Sequence, residues 1–469
     1  MARSKGLFAA KDLTQGTPWK RIVAFTIPLL LGNIAQQLYN TADSIIVGRY
    51  IGDNALAAVG SAGPILYLLL VLFVGISVGA GILVAHFFGA KDRESLSRTI
   101  GNCITLTAVT SAIIMLIGPL TSRPLLELLN TPPSIIDWCT GYLNIFFLGI
   151  AGFSYYNILA GVLRGLGDSA SALVFLLIST ALNVGLDILF VARFGMGVPG
   201  VALATVIAQG ISALLCLFKL MRMKEHFDLN WSMLKLDRAL SLRIIKLGLP
   251  SGVTQAIFSL AMIVVQSLTN SFGELVIAAN VIVMRVDGFA MMPNFSFGSA
   301  LTTFTGQNIG ANKMERVDRG TKDGTLLAVG VAAVLTILLL FFGRYLMNVF
   351  TETEALVELS MRMVRVLALG YVAVAITQCL SGVMRGAGDT ITPMWISLVS
   401  TVILRVPTAY GLAYLTRSPQ YPTGRPESTF ISLLFSWTMG ALITYVYYKR
   451  GTWRKKSINR EHELKKEAA

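Results

Sequence analysis

The sequence predicts an all-α integral membrane protein with twelve transmembrane helices in two parallel six-helix repeats. Three observations predict it. The 469 residues are 54% hydrophobic and only 14% charged, with a mean hydropathy of +0.67, too apolar for a surface that needs charge to stay in water. Apolar stretches of roughly 18 or more residues recur along the whole length, each long enough to cross a hydrocarbon core of about 30 Å as a helix, which bonds its own backbone polar groups. The second half of the chain repeats the first at an offset of 221 to 222 residues.

The stretches fall at about 21–48, 55–86, 97–120, 135–162, 169–192, 199–221, 243–270, 276–306, 321–344, 355–383, 391–416 and 429–448. Before the first, Met1–Arg21 is polar and lacks the apolar core and small-residue cleavage site of a signal peptide, so the N-terminus is expected to stay in the cytoplasm. With that orientation the net charge of +14 follows topology and not a nucleic-acid footprint. Outward loops hold only Arg49, Arg123, Arg193, Arg344, Arg417 and Arg425; four basic residues lie within spans, and the rest of the 39 Lys and Arg face inward. The linker Lys219–Lys246 and the tail Lys449–Lys466 read as anchors on an anionic leaflet, so membrane lipids are expected partners and nucleic acid is not. Cys103, Cys139, Cys216 and Cys379 are spread through apolar segments as small core residues, and His86, His226 and His462 are too far apart for a zinc site. No cofactor is expected.

The repeat is sharpest where Gly161–Asp168 (Gly-Val-Leu-Arg-Gly-Leu-Gly-Asp) falls on Gly382–Asp389 (Gly-Val-Met-Arg-Gly-Ala-Gly-Asp) at a shift of 221. At 222, Arg21 falls on Arg243 and Pro28 on Pro250. Six helices per repeat bring both halves into the bilayer in the same orientation, related by an axis along its normal, with a solute path expected between lobes. The expected organisation is an N-terminal lobe 1–221, a cytoplasmic linker 222–242, a C-terminal lobe 243–449 and a basic tail 450–469.

The Gly-x-Gly-Asp segments are not phosphate loops, since no Lys-Ser/Thr follows. They read as elbows: Arg164 and Arg385 at the negative end of one helix, a glycine in the left-handed turn, and Asp168 and Asp389 capping the next. Gly75, Gly79 and Gly81 read as close helix packing. Pro28, mid-helix, is expected to bend or hinge the first span.

Ionisable groups inside spans are costly and therefore informative. Asp43, Asp187 and Asp287 are the carboxylates clearly within helices, and Asp43 and Asp187 share a depth near the outer ends of the first and fifth spans. Asn183 at i−4 from Asp187 and Gln36 at i−7 from Asp43 share their faces, and Thr205 descends to meet them. This is a hard-oxygen set suited to Na⁺ or to a proton, or else a set of helix-packing hydrogen bonds. In the eighth span Arg285 and Asp287 cannot face one way, and Phe289, Met291, Met292, Phe295 and Phe297 follow; such a stripe is core or an adaptable surface for apolar ligands.

Together these residues resemble the MATE (multidrug and toxic compound extrusion) transporters, nearer the DinF-like and archaeal branch than the NorM branch, over nearly the whole chain. The motifs are Gln36…Leu-Tyr-Asn-Thr-Ala-Asp43, Leu-Asn183-Val-Gly-Leu-Asp187, Gly200…Ala-Thr205 and the paired elbows. The resemblance implies two six-helix bundles forming a V, and export of bulky, often cationic amphipathic molecules against H⁺ or Na⁺. It also implies a cation-binding network at Asp43, Asp187, Asn183, Thr205 and Gln36. Candidate substrate contacts are Asp287, Met291, Phe295 and Asn157, with Pro28 as hinge. The acidic residues of the NorM branch on helices 7 and 10 stand here as Gln255 and Gln378, which shifts the weight to Asp43 and Asp187. A monomer in the cytoplasmic membrane with both termini inside is expected. An enzyme is not, as no HExxH and no paired catalytic constellation stands out. The alternative within the wider superfamily is a lipid-linked oligosaccharide flippase, for which Arg285, Arg362, Arg365 and Arg405 would meet a pyrophosphate.

Overall fold

A computed structural model describes residues 10–455; the remainder of the basic tail, with His462, lies outside the described residues. The first half comprises α1 (Pro18–Tyr50), α2 (Asp53–Ala90), α3 (Arg93–Leu128), α4 (Pro133–Leu148), α5 (Ile150–Gly165), α6 (Ser169–Asp187) and α7 (Gly197–Arg222). The second comprises α8 (Arg238–Asn270), α9 (Glu274–Gly310), α10 (Met314–Asn348), α11 (Glu354–Ala368), α12 (Tyr371–Ala387), α13 (Ile391–Leu398), α14 (Arg405–Leu415) and α15 (Glu427–Arg450). Among the described residues, ten helical spans are long and apolar enough to cross a membrane, and twelve if two bent pairs each count as one.

Those pairs differ from the sequence expectation. The span expected at 135–162 is α4 and α5, bent by 53° at Gly149, and the span expected at 355–383 is α11 and α12, bent by 43°. At Gly149 a Cβ would collide with the Val206 side chain, and at Gly152 one would meet the Gly210 backbone, so the chain turns where it packs directly on α7. At Gly370 the ring of Trp437 fills the same space. Each half also holds a π-helical segment, Ile188–Arg193 directly after α6 and Val399–Leu404 directly before α14. Helix α1 runs through Pro28, and α8 through Pro250, without interruption. Proline loses one backbone bond there but keeps a helical φ.

Two compact units emerge. Among the described residues, unit 1 holds 27–252 with 10–12 and 310–312, and unit 2 holds 13–26, 253–309 and 313–455. In unit 1, α3 packs on α4 and α5, α5 on α7, and α6 on α7; in unit 2, α10 packs on α11 and α12, α12 on α15, and α14 on α15. The sequence repeat is therefore a packing repeat. Gly79 meets the backbone of Ile244 and Gly248 so closely that no Cβ fits, which is the close helix approach the small residues of α2 predict. The elbows cap as expected: Asp168 Oδ1 accepts from Ser171 N at 2.9 Å and Asp389 Oδ1 from Thr392 N at 3.2 Å, while Gly167 and Gly388 hold φ of 83° and 103°.

Within unit 1 the linker 222–242 is pinned to the start of α3. Arg93 grips Asp228 at 2.8 Å, Arg98 grips Asp237 at 2.9 Å, and Asn102 Oδ1 accepts from Asp237 N at 2.8 Å. The guanidinium of Arg93 holds the Asp228 carboxyl below its usual range, and the backbone N–H of Leu240 does the same for Asp237. In unit 2, Gln307 accepts from Leu13 N at 2.9 Å, and Arg316 donates to the carbonyls of Leu13, Gln15 and Gly16.

Candidate functional site

Unit 1 brings Asp43 on α1 together with Asp187, the last residue of α6, where the π-helical segment begins. Such segments are rare and collect at functional positions. One turn before Asp187, the fully buried Asn183 donates through Nδ2 to Thr205 Oγ1 on α7 at 3.3 Å. One turn before Asp43, Tyr39 donates its O–H to the same Oγ1 at 3.4 Å. Thr205 therefore ties α1, α6 and α7 together, its lone pairs already occupied by two donors.

Three of the acids' four oxygens are left without donors. Asp43 Oδ1, both carboxylate oxygens of Asp187 and Asn183 Oδ1 are buried with no hydrogen-bond partner among the described residues. Asp43 and Asp187 lie close enough to interact directly, although they do not reach hydrogen-bond geometry, and Tyr39 and the buried Tyr142 feel the charge of both. Buried polar atoms are nearly always bonded, so four acceptor oxygens clustered without a donor suit a small cation. A proton shared by the two carboxyls, or Na⁺ held by Asp43, Asp187 and Asn183 Oδ1, meets that need; Thr205 orients the amide.

Gln36 takes a different part: its Nε2 donates to Asn40 Oδ1 at 3.5 Å, along α1. Tyr39 and Tyr142 were not singled out from sequence. Tyr39 was within reach of the same i−4 rule that found Asn183, whereas Tyr142 arrives from α4 by packing alone.

The other candidates divide between units. Asn157, in unit 1, spends its Nδ2 on Phe153 O at 2.8 Å. In unit 2, Asp287 Oδ1 is buried without a partner; the Tyr371 phenol lies beside it and Arg405 acts on it through charge. Met291 is buried, Phe295 is 45% exposed and Arg285 is exposed, so the stripe is part core and part surface. Among the described residues, no group of three or more His, Cys, Asp or Glu is disposed to hold a metal ion.

Spans of membrane length, a duplicated packing scheme and a buried acid pair define a polytopic helical membrane protein built from a repeated bundle. The MatE family model matches residues 28–189 and again 250–411, so positions 28 and 250, and 189 and 411, are each 222 apart. The probable multidrug resistance proteins YoeA and YpnP of Bacillus subtilis (strain 168) are each 30% identical to this chain, YoeA over 98% of it and 99% of its own length, YpnP over 95% and 98%. A solved multidrug resistance MATE transporter in an outward-facing conformation superposes with a TM-score of 0.87 at 22% identity, covering 97% of this chain and all of that one. A MATE structure in a bent conformation gives 0.88 at 23%, covering 97% and 99%. The chain belongs to the MATE family of multidrug efflux transporters, whose members are transporters and not enzymes.

Proposed function

We propose that this chain is a secondary active antiporter that exports amphipathic, often cationic organic molecules in exchange for H⁺ or Na⁺ by alternating access. The supporting observation is the acid pair Asp43 and Asp187, three of its four oxygens buried without donors, beside Asn183, Thr205 and Tyr39. Like charges about 4 Å apart repel by roughly 4 kcal/mol at an effective dielectric of 20, so one bound cation changes which packing of these helices is stable. Coupling needs the ion's affinity to differ between the two states of the transport cycle, because a ligand shifts an equilibrium only by its differential affinity. Gln36 joins the pair as a further oxygen donor of the coupling site on α1, and Pro28 lets that helix flex.

Cargo meets Asp287, which attracts cations, with Met291 and Phe295 as adaptable apolar contacts and Asn157 as a polar one. The protein is a monomer of the cytoplasmic membrane with both termini inside. A cysteine at Gln420 then reacts with an impermeant reagent added outside cells, and one at Lys91 does not; labelling at 91 in intact cells reverses the topology. Both positions are exposed on loops or helix ends.

The test is transport of a cationic dye into inside-out proteoliposomes under separately imposed proton and sodium gradients. At least one gradient drives uptake; equal uptake with neither gradient imposed removes the antiport reading.

A further inference from the structure

We propose that unit 2 carries an anion-accepting pocket beside Arg405, which takes the carboxylate or other anionic headgroup of an amphipathic molecule. The proposal builds on the exporter reading above and adds a second class of headgroup to it. The pocket opens between α8, α9, α14 and α15, and among the described residues Arg405 is the only charged one on its wall. No carboxylate lines it. Arg405 Nε is buried without a hydrogen-bond partner, and no ion pair joins Arg405 to Asp287 among the described residues. Beside it, Gln266 is held at both ends: its Oε1 accepts from Asn280 Nδ2 at 3.2 Å and its Nε2 donates to Asn270 Oδ1 at 2.8 Å. The amides bond one another, and Arg405 Nε–H is the charged donor left without a partner for a guest.

Size limits what the guest can be. The space admits only one or two water-sized groups, enough for a carboxylate, whereas a whole drug-sized molecule needs about 300–1,000 Å³. A headgroup enters and the apolar body stays at the mouth, where Met262 is half-exposed.

The repeat supplies an independent reason. The two elbows are 221 apart, while both the starts and the ends of the matched stretches are 222 apart. The π-helical segment Val399–Leu404 lies between Asp389 and Arg405, ahead of the position where the first repeat has its own, Ile188–Arg193. At the offset of 222 that joins Pro28 to Pro250, Arg405 falls on Asn183, Ala409 on Asp187 and Val265 on Asp43. Val265 and Arg405 both line the pocket. The pocket is thus the counterpart in unit 2 of the acid cluster in unit 1, with both carboxylates lost and a guanidinium gained.

The test uses purified full-length protein in detergent and two dyes, tetramethylrhodamine with its free carboxylate and the methyl ester of the same dye, followed by fluorescence anisotropy. Wild type binds the carboxylate dye. Arg405→Gln weakens that binding about tenfold or more, the worth of a charge-assisted hydrogen bond, and changes the ester's by less than about twofold. Asn280→Asp, which leaves Arg405 in place and adds a negative charge to the wall, has the same selective effect and guards against a folding defect in the first variant. Competition by phosphatidylglycerol added to the micelle identifies a lipid headgroup as occupant, and competition by the free acid alone identifies cargo. No saturable binding of the carboxylate dye to wild type, or equal loss of both dyes in the variants, overturns the pocket. Gradient-driven export of the ester, measured in parallel on wild type, reports the exporter reading separately: if the ester is exported while the carboxylate dye ignores Arg405, only the pocket is wrong.

Discussion

Units 1 and 2 descend from one repeat and share one packing scheme, yet their corresponding interiors carry opposite charge. In unit 1, Asp43 and Asp187 stand with three oxygens lacking donors. In unit 2, Val265 and Ala409 occupy those places and Arg405 replaces Asn183. A duplicated bundle keeps its helix contacts because Gly79 and the elbows at Gly167 and Gly388 tolerate little else. Several of its buried polar atoms, such as the Asp187 carboxylate oxygens, bond no neighbouring helix, so the helix contacts survive when they change. The proposed division of labour is an ion site in one unit and a headgroup site in the other.

The largest effect expected is on the acid pair. Asp43→Asn abolishes gradient-driven export while insertion and folding persist, since an uncharged isostere removes a desolvation cost. Asp187→Asn does nearly the same, and the double variant adds little, as for residues acting as one unit; export rates in proteoliposomes decide this. Wild-type rates in both single variants would end the asymmetry between the units. A smaller, selective effect is expected at Asp287→Asn, which weakens export of cationic compounds several-fold more than of neutral ones. Equal loss for both classes, with poor expression, makes Asp287 a packing residue.

A structural comparison comes next in size. Gly79→Val drives a side chain into the backbone of Ile244 and Gly248, and overpacking of this kind costs about 1–3 kcal/mol, read as a lowered thermal midpoint. Gly185→Val, where a Cβ has open space around it, leaves the midpoint nearly unchanged.

The smallest effect concerns the linker latch. Asp228 and Asp237 have folded-state pKa values below the ordinary carboxylate value, so their contribution is fully present above about pH 4 and is lost as pH falls through the lowered values. The pairs are exposed, so the change is local. Linker amides around residue 228 exchange faster below that pH, corrected for intrinsic rates; protection that instead rises on acidification contradicts the latch.

Sequence made the repeat, the spans and the three buried acids legible because each depends on composition or fixed spacing: Asp43, Asp187 and Asp287 stand out against apolar neighbours, and Asn183 follows from the helical period. It did not reveal the breaks at Gly149 and Gly370, which arise where Val206 and Trp437 press on the turning chain from other helices. Nor did it reveal Tyr142, whose sequence neighbours give no hint of Asp43, or the state of Gln36, whose amide turns to Asn40. Arg405 was visible as a charge in a span. Its correspondence with Asn183 emerges only at the offset of 222 that joins Pro28 to Pro250.

The most direct measurement of the central claim counts ions released when cargo binds. Purified wild type in weakly buffered detergent is titrated with a cationic dye while released protons, or displaced radioactive sodium, are recorded. The account predicts release of about one ion per dye bound by wild type and none by the Asp43→Asn, Asp187→Asn double variant, which still binds dye. Undiminished release from the double variant would place the coupling ion elsewhere and contradict the assignment.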